Sequence, residues 1–299
     1  MIIIRLMGGL GNQLQQYALY EKLKSLGRDV RIDDSWFDVQ GTGENVLAPR
    51  KLELRYFPQA DYRKASPEEI QALIGTDAFR DKLLRKLRPA LSKRFSESGM
   101  YHPDILTMEE GYLEGYFAAE KYYADILPLL REKLLFPEPN EENVRAADEI
   151  QSKPYPVSVH IRRGDYLDAA NASMFGGICT DAYYEGAIKQ VEKEHPDAVF
   201  FLFSDDPDYC RGHYVGDKFR VMDVNHGEHS FFDIWLMSKC KAHICANSTF
   251  SFWGARLDPK ENKCMIRPYI HKTTQVFRAE EMHDLWPGWI LIDAQGALR

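Results

Sequence analysis

Two arginines and an aspartate close the run Val157-Ser158-Val159-His160-Ile161-Arg162-Arg163-Gly164-Asp165. Its alternating apolar residues spell a short buried strand, so His160, Arg162, Arg163 and Asp165 fall at or just past the carboxyl end. Guanidiniums at that end of a strand in an α/β domain point into the crevice where ligands bind. Their planar fork suits phosphate better than an ammonium does. The chemistry indicated is a grip on the pyrophosphate of an activated metabolite.

Other apolar segments also end in polar tails. Ser204-Asp205-Asp206 follows residues 199–203, Asp223 follows 219–222, Asn247-Ser248-Thr249-Phe250-Ser251 follows 242–245, and Arg267 follows 264–266. Several such tails on one sheet edge mark a ligand crevice. Ser248 and Thr249 stand where a strand gives way to a helix. Hydroxyls and free N–H groups there cradle phosphate, or the hydroxyls simply cap the helix; beside Arg162 both jobs are expected. Asp205 or Asp206 is placed to accept hydrogen bonds from guanine, the alternative being an Asp-Pro turn that opens a helix.

Two further motifs point elsewhere. Gly9-Leu10-Gly11 after a strand, with Asp33 further on, matches part of a dinucleotide fingerprint, and an NAD-type oxidoreductase is the reading it supports. Leu14 occupies the third glycine position. Asp206-Pro207-Asp208 has the form of a metal-binding D-x-D pair, but arginines already available to a diphosphate make a metal unnecessary, so a metal-free site without cofactor is expected.

The elements that must position these residues follow from the pattern. Residues 2–7 read as a strand, 13–26 as a helix stopped by Gly27, and 29–32 as the next strand, a βαβ start with a glycine-rich turn. Residues 36–100 give no clear assignment, apart from a basic helical piece over 80–94 with Leu83, Leu84, Leu87 and Leu91 on one face. Its charges read as a solvated face, with peripheral contact to an anionic membrane or a glycan as the minority option. Residues 111–117 read as a strand and turn near a cleft, and 122–135 as a helix despite Pro128. The Pro-Glu-Pro-Asn-Glu-Glu segment from Pro137 sets a boundary between domains 1–150 and 151–299. Beyond it, strands alternate with helices at 181–195 and 228–241, which indicates a parallel sheet. The final helix is assigned to the second domain, packing back on the first as the alternative.

At 299 residues, 44% hydrophobic and 12% aromatic, the chain has a real core. Its net charge of −7 with no basic block excludes the footprint of a nucleic-acid binder. No apolar run reaches membrane-span length, and Met1-Ile2-Ile3-Ile4-Arg5 is too soon charged for a signal peptide. Five cysteines without a C-x-x-C pair read as buried thiols of a cytoplasmic protein.

Taken in order, five pieces resemble the bacterial α-1,2-fucosyltransferases of glycosyltransferase family 11: Gly8-Gly9-Leu10-Gly11-Asn12-Gln13 with Tyr17-Ala18, Gly115-Tyr116-Phe117, His160 to Tyr166, Phe203 to Pro207, and Asn247 to Ala255. The resemblance implies the α/β GT-B fold, two Rossmann-like domains facing across a cleft with GDP on the second. It implies GDP-β-L-fucose as donor, inversion to an α linkage, no metal, and a terminal galactose as acceptor. By resemblance Arg162 grips the β-phosphate, His160 and Asp205 or Asp206 hold guanosine, and Arg163, Asn247, Ser248, Thr249 and Ser251 complete the donor site. Gly11, Asn12, Gln13 and Tyr116 fall on the fucose and acceptor side. Phe252 stands where the family often has Trp, and Ala118-Ala119 where Gln-Ser is frequent, which bears on acceptor preference. Asp165 is the first candidate for the base that takes the acceptor proton, with Asp168, Glu114 and His102 also open. A binding module that kept the fold without transfer is the other class of reading. The acceptor's inner sugars and the oligomeric state are not specified by these residues.

Overall fold

In the computed structural model the chain forms two compact units, Met1–Leu135 and Phe136–Arg299. Residues 1–39, 50–75, 93–97, 100–164, 169–274 and 277–299 are described; Asp165, Tyr166, Asp168 and nearly all of the 80–94 segment lie outside them.

The first unit is built on a parallel sheet of β1 (Ile2–Arg5), β2 (Val30–Asp33), β3 (Arg94–Ser96) and β4 (Gly111–Glu114), in the order β2-β1-β4-β3. Ile2, Ile3 and Ile4 are fully buried, as a central parallel strand covered on both faces requires. The Leu10–Ser25 helix follows β1 directly, with Gly9 at its N-cap. It stops at Gly27, whose φ of +75° ends the helix in the left-handed region at no steric cost.

The second unit holds six parallel strands, β5 (Tyr155–Ile161), β6 (Ala198–Ser204), β7 (Phe219–Met222), β8 (Ala242–Ile244), β9 (Cys264–Pro268) and β10 (Ile290–Ile292), ordered β10-β9-β8-β5-β6-β7. Helices Asp181–Glu194 and Thr249–Leu257 link strands within it. One face of the sheet packs Val157, Val159, Phe200, Leu202 and Ile244 against Tyr183, Ala187 and Val191. The other sets Phe201 and Phe203 against Ala146, Ala147, Ile150, Leu236 and Met237.

Both sheets reverse strand order once. In the first unit the chain winds from β1 to β2, then returns to the other side of β1 with β4. In the second it winds through β5, β6 and β7, then places β8 against the free side of β5. Parallel sheets bind ligands at such reversals, outside the carboxyl ends of the strands. Two Rossmann-like α/β units in succession are the GT-B class that the family resemblance implies.

Three expectations change. The boundary lies after Leu135 rather than residue 150, because the Glu141–Gln151 helix buries Ala146, Ala147 and Ile150 in the second core, and Phe136 stacks near Phe231. The helix expected over 122–135 is two 3-10 turns followed by Leu127–Lys133, with Pro128 in its first turn, where a missing N–H costs nothing. The one expected over 228–241 shortens to Phe232–Met237 after a turn at Gly227–His229. Strands β3 and β10, three residues each, escaped the pattern. The final helix, Ala279–Leu285, belongs to the second unit, where it leads into β10.

Candidate functional site

The β5–β8 reversal gathers the residues read from the sequence. Arg162 Nη1 lies 2.9 Å from Asp205 Oδ2, just beyond the end of β6. The other oxygen, Oδ1, accepts the Arg163 backbone N–H at 2.9 Å. A Cβ on Gly164 would sit 2.4 Å from Asp205 Oδ2, so only glycine lets the loop lie this close to the carboxylate. Arg163 turns aside: its Nε donates to Asp206 Oδ2 at 3.1 Å, and its guanidinium lies 3.6 Å above the Tyr209 ring. Asp206 also caps the Pro207–His213 helix by accepting from the Tyr209 N–H, so the Asp-Pro turn opening a helix is present. Both candidate guanine readers already spend oxygens on protein donors.

His160 is buried beside this loop, its ring 5.8 Å from that of Phe250. Burial, and then the Arg162 charge, push its pKa down to about 3 against the opposing pull of Asp205. The imidazole is therefore neutral across the physiological range, and its Nδ1 is buried without a hydrogen-bond partner.

Ser248 occupies the N-cap of the Thr249–Leu257 helix, yet its hydroxyl makes no capping bond. Helix starts present N–H groups and a positive dipole end to anions. Ser248 and Thr249 are half-buried at this edge, and they remain in the candidate site. Asn247 and Ser251 are buried and bonded within the protein. Asn247 is 1% exposed, its amide donates to Phe175 O and His271 O, and its backbone N–H meets the Cys179 sulfur. Ser251 is 2% exposed and returns its hydroxyl to Ser248 O. Both shape the backbone that carries Ser248. His271, which the sequence reading passed over, lies buried among Arg267, Lys272 and Arg256; burial first and these charges next push its pKa down to about 3.

The β1–β4 reversal gathers a second group. Gly8 has φ +82°, and a Cβ there would stand 2.8 Å from Asn12 Nδ2 and 3.4 Å from the Tyr116 ring. Asn12 and Tyr116 thus converge on a position only glycine fills, with Tyr116 39% exposed. Gly11 is buried in the helix's first turn. Gln13 is fully buried, and its amide is used four times, donating to Gly8 O and Lys51 O and accepting from the Glu53 and Leu54 N–H groups. It holds a distant loop in place. That loop brings Arg50 beside Gly9 and Glu53 onto the Leu10 N–H. Burial raises the Glu53 pKa. No local pattern announces Arg50 or Glu53, because their place depends on Gln13, some forty residues away.

The other candidates sort as follows. Glu114 is paired with both Arg5 and Arg94. Burial raises its pKa, but the two guanidiniums reverse this and hold the carboxyl below its ordinary range. That is the wrong direction for a base near neutral pH. His102 packs edge-on to Phe95, its Nε2 buried without a hydrogen-bond partner. Asp165 and Asp168 lie outside the described residues. Asp33, the fingerprint acid, is buried and accepts from Tyr112 OH and Ser35 N. Asp208 of the D-x-D pair binds Arg211.

The sequence profile of glycosyl transferase family 11 matches residues 101–293. An α-1,2-colitosyltransferase of Escherichia coli is 32% identical over 98% of this chain and 99% of that protein. The chain belongs to glycosyltransferase family 11. A galactoside α-(1,2)-fucosyltransferase 1 of Aotus azarae matches more narrowly, 33% identical over 34% of this chain and 28% of that protein. Among solved structures, fucosyltransferase NodZ from Bradyrhizobium covers 86% of this chain and 93% of its own, with 15% identity and a TM-score of 0.42. As a family 11 member the chain is a glycosyltransferase, and its edge residues Arg162, His160 and Ser248 fall within the matched region. Among the described residues no helix is long and apolar enough to cross a membrane.

Proposed function

We propose that this family 11 enzyme moves L-fucose from GDP-β-L-fucose to the 2-hydroxyl of a terminal galactose, inverting at the anomeric carbon to an α-1,2 linkage, without a metal or other cofactor. The observation that carries the reading is Arg162, a guanidinium held by Asp205 at the sheet reversal, where the neighbouring strand β8 leads into the Thr249–Leu257 helix start. The bond between the fucose anomeric carbon and the β-phosphate oxygen breaks with its electron pair staying on GDP. The galactose oxygen forms the new bond and gives up its proton to a carboxylate, for which Asp165 is assigned. Negative charge grows on the β-phosphate as this happens. Arg162 and the helix start stabilise that growing charge more than the ground state, which is the condition for accelerating the step. His160, Ser248 and Thr249 complete the donor site, and Asn12 and Tyr116 face the acceptor side.

A second donor has a specific observation behind it. A relative that matches along nearly the whole chain carries a colitosyltransferase name, and colitose is fucose without its 3-hydroxyl. The test is GDP release from GDP-fucose and from GDP-colitose, each with and without lactose, in EDTA. Lactose-dependent release from GDP-fucose with a new trisaccharide is the expected result. Preference for GDP-colitose would move the donor assignment. Loss of activity in EDTA that manganese restores would refute metal independence. Binding of GDP without release from either donor, across a panel of galactosides, would favour the binding-module reading.

A further inference from the structure

We propose that Tyr209 and Asp206 form a saddle that reserves Arg163 for positioning, leaving Arg162 as the arginine that meets the diphosphate. The inference rests on the donor site proposed above. Two adjacent arginines after a strand suggest a double grip on phosphate, yet here the guanidiniums diverge. Arg162 is held by Asp205 through Nη1 at 2.9 Å. Arg163 is held in two other ways, by a carboxylate on Nε at 3.1 Å and by an aromatic ring 3.6 Å beneath its plane.

The saddle is itself anchored on several sides. Asp206 Oδ1 accepts the Tyr209 N–H at 3.1 Å, so the carboxylate and the ring are fixed by one helix turn. The Asp206 N–H donates to Ser204 Oγ, which in turn donates to Ile161 O at the end of β5. The Tyr209 hydroxyl donates to Asp181 Oδ1 at 3.2 Å, and its ring stacks on His213 at 5.0 Å. Arg163 thus ties the loop after β5 to the helix after β6, while its own N–H and Arg162 share Asp205. A guanidinium stacked on a ring and bonded through Nε gives up both contacts if it swings toward a ligand. What the saddle supplies is the fixed direction of Arg162.

Misplacing a charged group by about 1 Å costs on the order of 10²-fold in the chemical step, while long-range attraction to GDP survives. The experiment measures kcat, donor KM and GDP affinity for Arg162→Lys, Arg163→Lys, Tyr209→Phe and Tyr209→Leu. Tyr209→Leu and Arg163→Lys are expected to lower kcat by about tenfold or more with GDP affinity moved by roughly threefold at most. Tyr209→Phe, which keeps the ring, is expected to restore kcat to near the wild-type value. Arg162→Lys is expected to lose both turnover and GDP affinity. Should Arg163→Lys weaken GDP as much as Arg162→Lys does, Arg163 grips phosphate and the saddle is wrong. An unchanged kcat in Tyr209→Leu overturns it equally. If wild-type protein fails to bind GDP, the donor site itself fails, which is a separate result.

Discussion

At the scale of single residues, charge state decides what the second-unit edge does. A neutral imidazole beside a guanidinium donates or accepts one hydrogen bond without adding repulsion. His160 is kept in that state because burial and Arg162 both disfavour a second proton, pushing its pKa from 6.5 to about 3. Above pH 6.5 both folded and unfolded chains carry neutral His160, and its contribution is fully present. Below that, the unfolded chain takes a proton that the folded one refuses, so the contribution is lost progressively as pH falls toward 3. The ring proton resonances of His160 are therefore expected to stay constant between pH 8 and 5 in an NMR titration, and turnover to show no limb near 6.5 that His160→Gln removes. A resonance titrating near 6.5 would mean that Arg162 and burial do not control this group.

At the scale of elements, polar residues beside each crevice divide into those that face outward and those that hold the loops in shape. Gln13 shows the second kind most fully. Replacing it with Ala strands two carbonyls and two N–H groups in the interior, a loss of about 3 kcal/mol. A urea midpoint lowered accordingly is expected for Gln13→Ala, with activity reduced because Arg50 and Glu53 ride on the released loop; an unchanged midpoint would contradict the four bonds. The same division explains what the sequence revealed. Strand ends were legible because apolar runs stop where polar tails begin, so Arg162, Asp205 and Ser248 were found on the correct edge. Gln13, Asn247 and Ser251 lie in the same neighbourhoods, but their polar groups are taken up by protein partners. Nothing in a sequence distinguishes an amide turned toward a ligand from one turned toward a carbonyl. The fully buried Ser158, His243 and Asp258, linked in a row in the second core, mark the far end of this ambiguity: they have the residue types of a catalytic triad, but buried in the core they act as a polar brace. Short strands such as β3 and β10 lacked the length for alternation to register.

At the scale of the whole molecule, the two sheets each carry their own reversal and their own set of polar tails. The donor residues proposed here belong to the second unit and the acceptor-side residues to the first, so the two ligands should report on different segments of the chain. An overall charge of −7 does not by itself oppose a diphosphate, because distant charges are screened and the groups at the site dominate, here Arg162 with its partner Asp205 and a helix start. A ligand that binds only the native state stabilises it by about 2.7 kcal/mol at a hundredfold excess over Kd, and the amides nearest the bound groups lose the most local opening. With GDP at that excess, hydrogen exchange is expected to slow in peptides spanning 157–164, 203–210 and 246–252. Peptides spanning 8–17 and 111–118 are expected to respond to a galactoside acceptor instead. GDP protection at the β1–β4 reversal, with none at β5–β8, would place the nucleotide on the glycine-rich turn of the first unit. The Arg162 assignment would then fall, because a diphosphate bound there leaves the guanidinium with nothing to stabilise.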